Sequence, residues 1–264
     1  MRAPADADEF IAALTSLLKT VLRMSGRPEA DLHIPDGIEV DLHPEQAAVL
    51  PTKKAPEVVQ LLKRMPHVEQ GWGFPLAPST PLMNYWDDPN EAMWPYQSWH
   101  PKPAEDSNEK DPSAVVASTE LPIAGSGDPY SHTVILELSG PQITARVHSN
   151  VYQVPCTVHG SSDQCPLFCQ HQSGVQHVPA VQLLRDWEQK FLAAEFMPNP
   201  YGEGAVSQDE INDEDWRNRM KTVFLAHGWP GRDFNPDKVN EIVTAEGFME
   251  DWCTFSSEEE DSDD

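Results

Sequence analysis

The chain has 264 residues, and its 18 lysines and arginines stand against 43 aspartates and glutamates, a formal net charge of −25. So acidic a chain repels nucleic-acid phosphate and an anionic membrane leaflet, and suits a protein partner with a basic or neutral surface. Hydrophobic residues make up 39% and prolines outnumber glycines 25 to 14, which predicts a folded core with many irregular segments rather than a wholly disordered chain.

The compartment expected is the cytoplasm or the nucleus. Asp6, Asp8 and Glu9 sit where a secretory leader needs basic residues. No apolar run approaches the ~18–20 residues of a membrane-crossing helix. There is no Asn-x-Ser/Thr sequon, and a chain of this size does not need its four cysteines as disulfide staples.

Residues 8–24 read as an amphipathic helix: Phe10, Leu14, Leu17, Leu18, Val21 and Leu22 recur near a 3.6 period, and Gly26 with Pro28 stops it. Residues 29–55 read as irregular. A second helix is expected at 57–65, opened by Pro56 and closed by Pro66. Residues 72–99 hold seven of the 22 aromatics, interrupted by prolines at 75, 78, 81, 89 and 95, so they read as turns and short extended pieces. Their rings either cap the core or form an interface hot spot; Trp86, Trp94 and Trp99 are the candidate partner anchors. Residues 100–113 are nearly free of apolar side chains and read as a surface loop.

The strand signal comes next. Val134, Leu136 and Leu138 alternate with Thr133, Ile135 and Glu137, and Ile143, Ala145 and Val147 alternate with Thr144, Arg146 and His148. A β-hairpin around Ser139-Gly140-Pro141-Gln142 follows. Leu121–Ala124 reads as a further strand, and Val151–Val154 as an extension or a third strand. Residues 179–196 read as a helix with Leu184, Trp187 and Phe191 on its apolar face. Residues 212–247 read as a helical hairpin whose second helix restarts at Asn235-Pro236. The last nine residues contain six acids and three serines, which predicts a disordered tail. Ser257 and Ser262 each precede acids, so they are candidate phosphorylation sites, each adding about −1.5 to −2 charges.

Familiar enzyme motifs do not occur: there is no phosphate-cradling loop ending in Lys-Ser/Thr, no nucleophile elbow and no His-Glu-x-x-His pair. One cluster does carry metal chemistry. Cys156-x2-His159 and Cys165-x3-Cys169 place thiolate and imidazole in two short pairs, a set suited to tetrahedral zinc, with His171 and His177 close behind. The opposing reading is a histidine-rich loop with free thiols. His67-Val68-Glu69 has the His-x-Glu pattern of zinc deaminases, but the cysteine pair is one residue too wide for that motif.

Several pieces, taken in order, resemble the SUKH superfamily. Pro51, then Val58-Val59-Gln60-Leu61-Leu62-Lys63, then Gln70-Gly71 is similar to its Leu-Pro, helix, Asn-Gly passage. Leu121-Pro122-Ile123-Ala124-Gly125-Ser126-Gly127-Asp128 is similar to its glycine-rich turn, and the helix around Leu184, Trp187 and Phe191 resembles its closing helix. The resemblance spans about residues 45–195. The chain departs from it at Gln70, at Ser126 between the glycines, and in apparent insertions at 72–113 and 155–177. The resemblance implies an α+β domain with a central, mainly antiparallel sheet and flanking helices, and protein binding without catalysis.

The expected organisation is an α+β core over 1–200, a helical hairpin over 206–252 packed on it, and an acidic tail over 253–264. The function expected first is a non-enzymatic interaction module without a cofactor, its tail tuning attraction to a basic partner. A zinc-binding protein centred on Cys156, His159, Cys165 and Cys169, structural or hydrolytic, is the alternative. A histone-chaperone-like acidic binder is a third reading.

Overall fold

The structure, a computed structural model, describes residues 4–35, 54–69, 74–77, 80–83, 117–125, 133–148, 175–198, 205–207 and 214–245. Within them lies an α+β fold built on one four-stranded sheet. The strands β5 (Glu120–Ala124), β6 (Thr133–Glu137), β7 (Thr144–His148) and β8 (Val175–Pro179) run in spatial order β5-β6-β7-β8, every pair antiparallel. The hairpin expected from alternation is therefore present as β6 and β7, and Leu121–Ala124 as part of β5. Val151–Val154 lies outside the described residues.

Alternation gives the sheet two unlike faces. Leu121, Leu136, Ala145 and Val178 are register partners across the four strands, flanked by Val134 and Val147, and all belong to the main hydrophobic core. Two long helices join that core. In α1 (Ala7–Met24), Phe10, Leu14, Leu17, Leu18, Val21 and Leu22 are buried along one stripe. Asp8 and Glu9 occupy its first turn, where the helix dipole favours negative charge. The later helix α3 (Ala180–Leu192) buries Val181, Leu184, Trp187 and Phe191 and follows β8 without a loop. It packs along α1, and polar contacts edge the seam: Ser16 and Thr20 donate to Glu188 Oε1 at 2.6 and 3.1 Å, and Arg185 donates to Glu9.

Asp6 sits just before α1 but does not cap it. Its carboxylate accepts the Ile143 amide at 3.0 and 3.1 Å, which ties the start of the helix to the sheet. The helix α2 (Pro56–Leu62) begins with its proline as expected but ends three residues early, and Met65 is buried from the following turn. Three small antiparallel pairs complete the strands: β1 (Leu32–His33) with β2 (His67–Val68), β3 (Pro75–Ala77) with β4 (Thr80–Pro81), and β9 (Phe196–Pro198) with β10 (Ala205–Ser207); β3 and β4 are short extended pieces of the kind expected within 72–99, and the first and third pairs were not foreseen. The last pair shortens the helix expected over 179–196. After Leu192 the chain turns at Ala194, whose φ is +51°, and Phe196 enters β9.

The helices α4 (Glu214–Ala226) and α5 (Pro236–Ala245) form the C-terminal hairpin. Asn235 accepts the Lys238 amide at 3.0 Å and so caps α5. Their connection docks on the α1 and α3 ends. Trp229 is buried, its indole N–H donates to the Phe191 carbonyl at 2.9 Å, and Arg23 lies 4.9 Å over its ring. Arg23 also donates to the carbonyls of Pro230 and Gly231. Among the described residues no helix is long and apolar enough to cross a membrane.

Gly26 fixes the junction between α1 and this hairpin. Its φ is +71°, and a Cβ there would stand 3.0 Å from the Pro236 Cβ. A left-handed conformation costs a non-glycine residue about 1–2 kcal/mol before any clash. Gly26→Ala is therefore expected to lower unfolding stability by about 2 kcal/mol or more. Urea unfolding of the variant beside the unmodified chain measures it.

Candidate functional site

The second face of the sheet carries charge under cover. The period of two that points Leu136 and Ala145 at the helices points Glu137, Thr144 and Arg146 the other way. Register then brings His177 of β8 opposite Arg146, and Glu120 of β5 opposite Glu137. The Arg146 Nη1 lies 3.2 Å from Glu120 Oε1 and 3.5 Å from Glu137 Oε1. The His177 Nδ1 lies 3.6 Å from Glu137 Oε2, and Thr144 donates to that same oxygen at 3.2 Å. The side chains of Arg146 and His177 are only 10% and 3% exposed, so these contacts form largely out of water.

The network continues off the sheet. Glu120 Oε2 accepts the Ala117 amide at 2.7 Å, and the Ala117 carbonyl accepts from Lys54 Nζ at 2.9 Å. The Ala55 amide donates to the Ser118 carbonyl, so the entry to α2 is fastened to the start of β5. A line of polar groups thus runs from Lys54 through Glu120, Arg146 and Glu137 to His177.

Burial and charge compete within this line. Burial pushes the Glu137 carboxyl up, but the His177 imidazole, the Arg146 guanidinium and the Thr144 hydroxyl outweigh it and hold the group below its ordinary value of 4.5. Glu137 therefore contributes stability above pH 4.5 that is lost as pH falls toward its folded value. Lys54 behaves oppositely. Burial pulls its ammonium down from 10.5 to about 8, and the Glu120 charge restores only part of that. Between those two pH values the unfolded chain holds a proton that the folded chain has released, so stability rises with pH across that window. Lys54→Met is expected to remove this rise and to stabilise the fold at neutral pH. Urea midpoints of both proteins at pH 7.5 and pH 10 test it, with the difference between the two proteins as the readout.

A carboxylate beside an imidazole can hold a histidine for acid–base work. Here the charged side chains address one another at 3.2–3.6 Å along the sheet, and Glu120 also takes the Ala117 amide of the neighbouring turn at 2.7 Å. What this arrangement does is set strand register, because a one-residue slip of β7 would turn Arg146 into the apolar core.

Cys156, His159, Cys165 and Cys169 lie outside the described residues, as do Trp86, Trp94, Trp99, Ser257 and Ser262. His177, grouped by spacing with the cysteines, belongs to the ion network on β8. Phe74, from the aromatic-rich segment, is buried in the core beside Arg27. Sequence reasoning missed Lys54, Glu120, Glu137 and Arg146 as a group. The available signal was the charged pair Glu137 and Arg146 on one face of an otherwise apolar hairpin.

No protein-family model, no curated protein and no solved structure matches this chain.

Proposed function

We propose that this chain is a non-enzymatic protein-binding module of the cytoplasm or nucleus, SUKH-like in design, whose partner presents a basic or neutral surface. The observation that carries this reading is where the cations go. Lys19, Arg27, Arg64, Arg146, Arg185 and Lys238 are bound to carboxylates of the same chain. Arg23 and Lys54 are bound to backbone carbonyls. With these eight of its 18 lysines and arginines engaged internally, a chain of net charge −25 turns a surplus of carboxylate outward. Such a field steers basic proteins and repels polyanions.

The order of elements supports the same reading. The helix α2, the antiparallel strands β5 to β7 and the helix α3 follow one another as the SUKH resemblance implies. In this reading Trp86, Trp94 and Trp99 supply apolar anchors, and phosphorylation of Ser257 and Ser262 strengthens attraction through added charge. The test is capture from a native extract by the immobilised full chain, followed by affinity measurements with the purified partner. Trp86→Ala, Trp94→Ala and Trp99→Ala are each expected to weaken binding, the strongest by about tenfold or more. A partner bound equally well by all three variants removes the anchors from the proposal.

A further inference from the structure

One stretch of this acidic chain carries the opposite charge. From Trp216 to Arg232 there are four lysines and arginines (Arg217, Arg219, Lys221 and Arg232) and no acid before Asp233. The stretch covers most of α4 and the turn after it. Residues 246–264, which follow α5 directly, are its complement: nine acids, three aromatic rings and no lysine or arginine. We propose that residues 246–264 fold back onto the face of α4 and its turn marked by Lys221, Leu225 and Arg232.

The face fits this occupant in shape and charge. Leu225 is 46% exposed, one of the two large apolar side chains that the described residues leave open to solvent. Lys221 lies one helical turn before it on the same side of α4. Among the described residues neither Lys221 nor Arg232 is paired with a carboxylate. The turn folds over the end of the helix: the Gly228 amide donates to the Leu225 carbonyl at 3.2 Å, and the Gly231 amide to the Gly228 carbonyl at 2.6 Å. Arg232 therefore emerges at the same end of α4 as Leu225. Arg23 arrives there from α1, donating to the Gly231 carbonyl at 2.9 Å, and a carbonyl leaves its charge unneutralised. An apolar side chain set among three cations suits a segment that mixes acids with Phe248, Trp252 and Phe255. Reach sets no limit, because 19 residues span about 60 Å when extended. The tether also holds the segment at an effective concentration of order millimolar, whereas a second copy of net charge −25 is repelled.

The contact lies within one chain and needs no partner. It keeps the tail acids occupied until a basic surface draws them off, and phosphate on Ser257 or Ser262 tightens it. Exposed ion pairs are individually weak, so the contact is sensitive to salt. The test is carbodiimide coupling, which joins a lysine amine to a carboxylate in direct contact, applied to the dilute, unmodified full chain and read by mass spectrometry. Lys221 is expected to couple to carboxylates of 246–264 at low salt, in preference to Lys19, Lys190 and Lys238, and to lose that coupling at high salt. Leu225→Ser combined with Arg232→Glu is expected to reduce it severalfold. Tail carboxylates that couple to all four lysines alike, or that do not couple to Lys221, overturn the proposal. So does coupling found only between two chains, which gives the face to a second copy. A second readout leaves the folded face untouched: Glu258→Gln, Glu259→Gln, Glu260→Gln and Asp261→Asn are introduced together in the full chain. The amide resonances of Lys221, Leu225 and Arg232 are expected to shift in that variant, and resonances that stay still overturn the proposal.

Discussion

Replacing Arg146 by methionine is expected to lower unfolding stability by about 3–5 kcal/mol, the range for breaking a buried ion pair from one side. Methionine preserves much of the length and volume but leaves Glu120 and Glu137 facing each other with their shared cation gone. That is a large share of the 5–15 kcal/mol that typically holds a domain together. Two further measurements separate this cause from simple loss of packing. The deficit should shrink as pH falls through the carboxylate range, because protonation relieves the repulsion. Replacing Glu120 and Glu137 by leucine in the same chain should recover most of the loss, since an apolar substitute for a whole buried network is often neutral. A deficit independent of pH and not recovered by that triple variant would mean that Arg146 matters only for its bulk.

The second large effect is expected at Trp229. Trp229→Ala should cost about 3–5 kcal/mol, as large aromatic deletions in cores do. The residue is buried, packs edge-on against Phe234 with centroids 4.9 Å apart, and bonds the carbonyl of Phe191. Trp229→Phe keeps a ring but removes the indole donor; the Phe191 carbonyl still accepts the Ala194 amide at 3.0 Å, so the cost should be about 0.5–1.5 kcal/mol, that of one hydrogen bond. Both losses should concentrate in the C-terminal hairpin. Hydrogen exchange is the informative probe: amides of α4 and α5 should lose protection in Trp229→Ala while those of β6 and β7 keep theirs. Equal loss in the sheet would show that hairpin and sheet unfold as one unit.

How much of this was legible depends on whether a side chain's role is set locally. The 3.6 period of Phe10, Leu14, Leu17 and Val21 needs only its own segment, and it marks α1 within a residue. The period of two in 133–138 and 143–148 likewise marks β6 and β7 and even their two faces. The strand β8 has no such signature. Gln176 and His177 precede Val178, and only pairing with β7 makes the segment a strand. Two-residue strands such as Leu32–His33 are too short to show any period at all. Phe191 and Phe196 suggest one continuous helix, but the left-handed turn at Ala194 sends Phe196 into a strand instead.

The candidate site divides in the same way. That Glu137 and Arg146 share a face follows from alternation alone. That Glu120, His177 and Lys54 meet them requires the sheet order and the attachment of residues 54–55 to the turn at 117–118, and both depend on contacts distant in sequence. Sequence spacing misled for His177, because proximity to Cys165 and Cys169 in the chain outweighed an invisible partner forty residues upstream.

The protein-binding reading is tested most directly by how captured partners respond to salt and to the tail. The immobilised full chain and a version lacking 256–264 are exposed to the same native extract at low and at high salt, and retained proteins are quantified against a bare matrix. The account predicts a small set of basic or neutral proteins, retained by the full chain at low salt, reduced without the tail and released at high salt. Retention of nothing beyond the bare matrix, or a partner held equally at both salt concentrations with and without the tail, would contradict it.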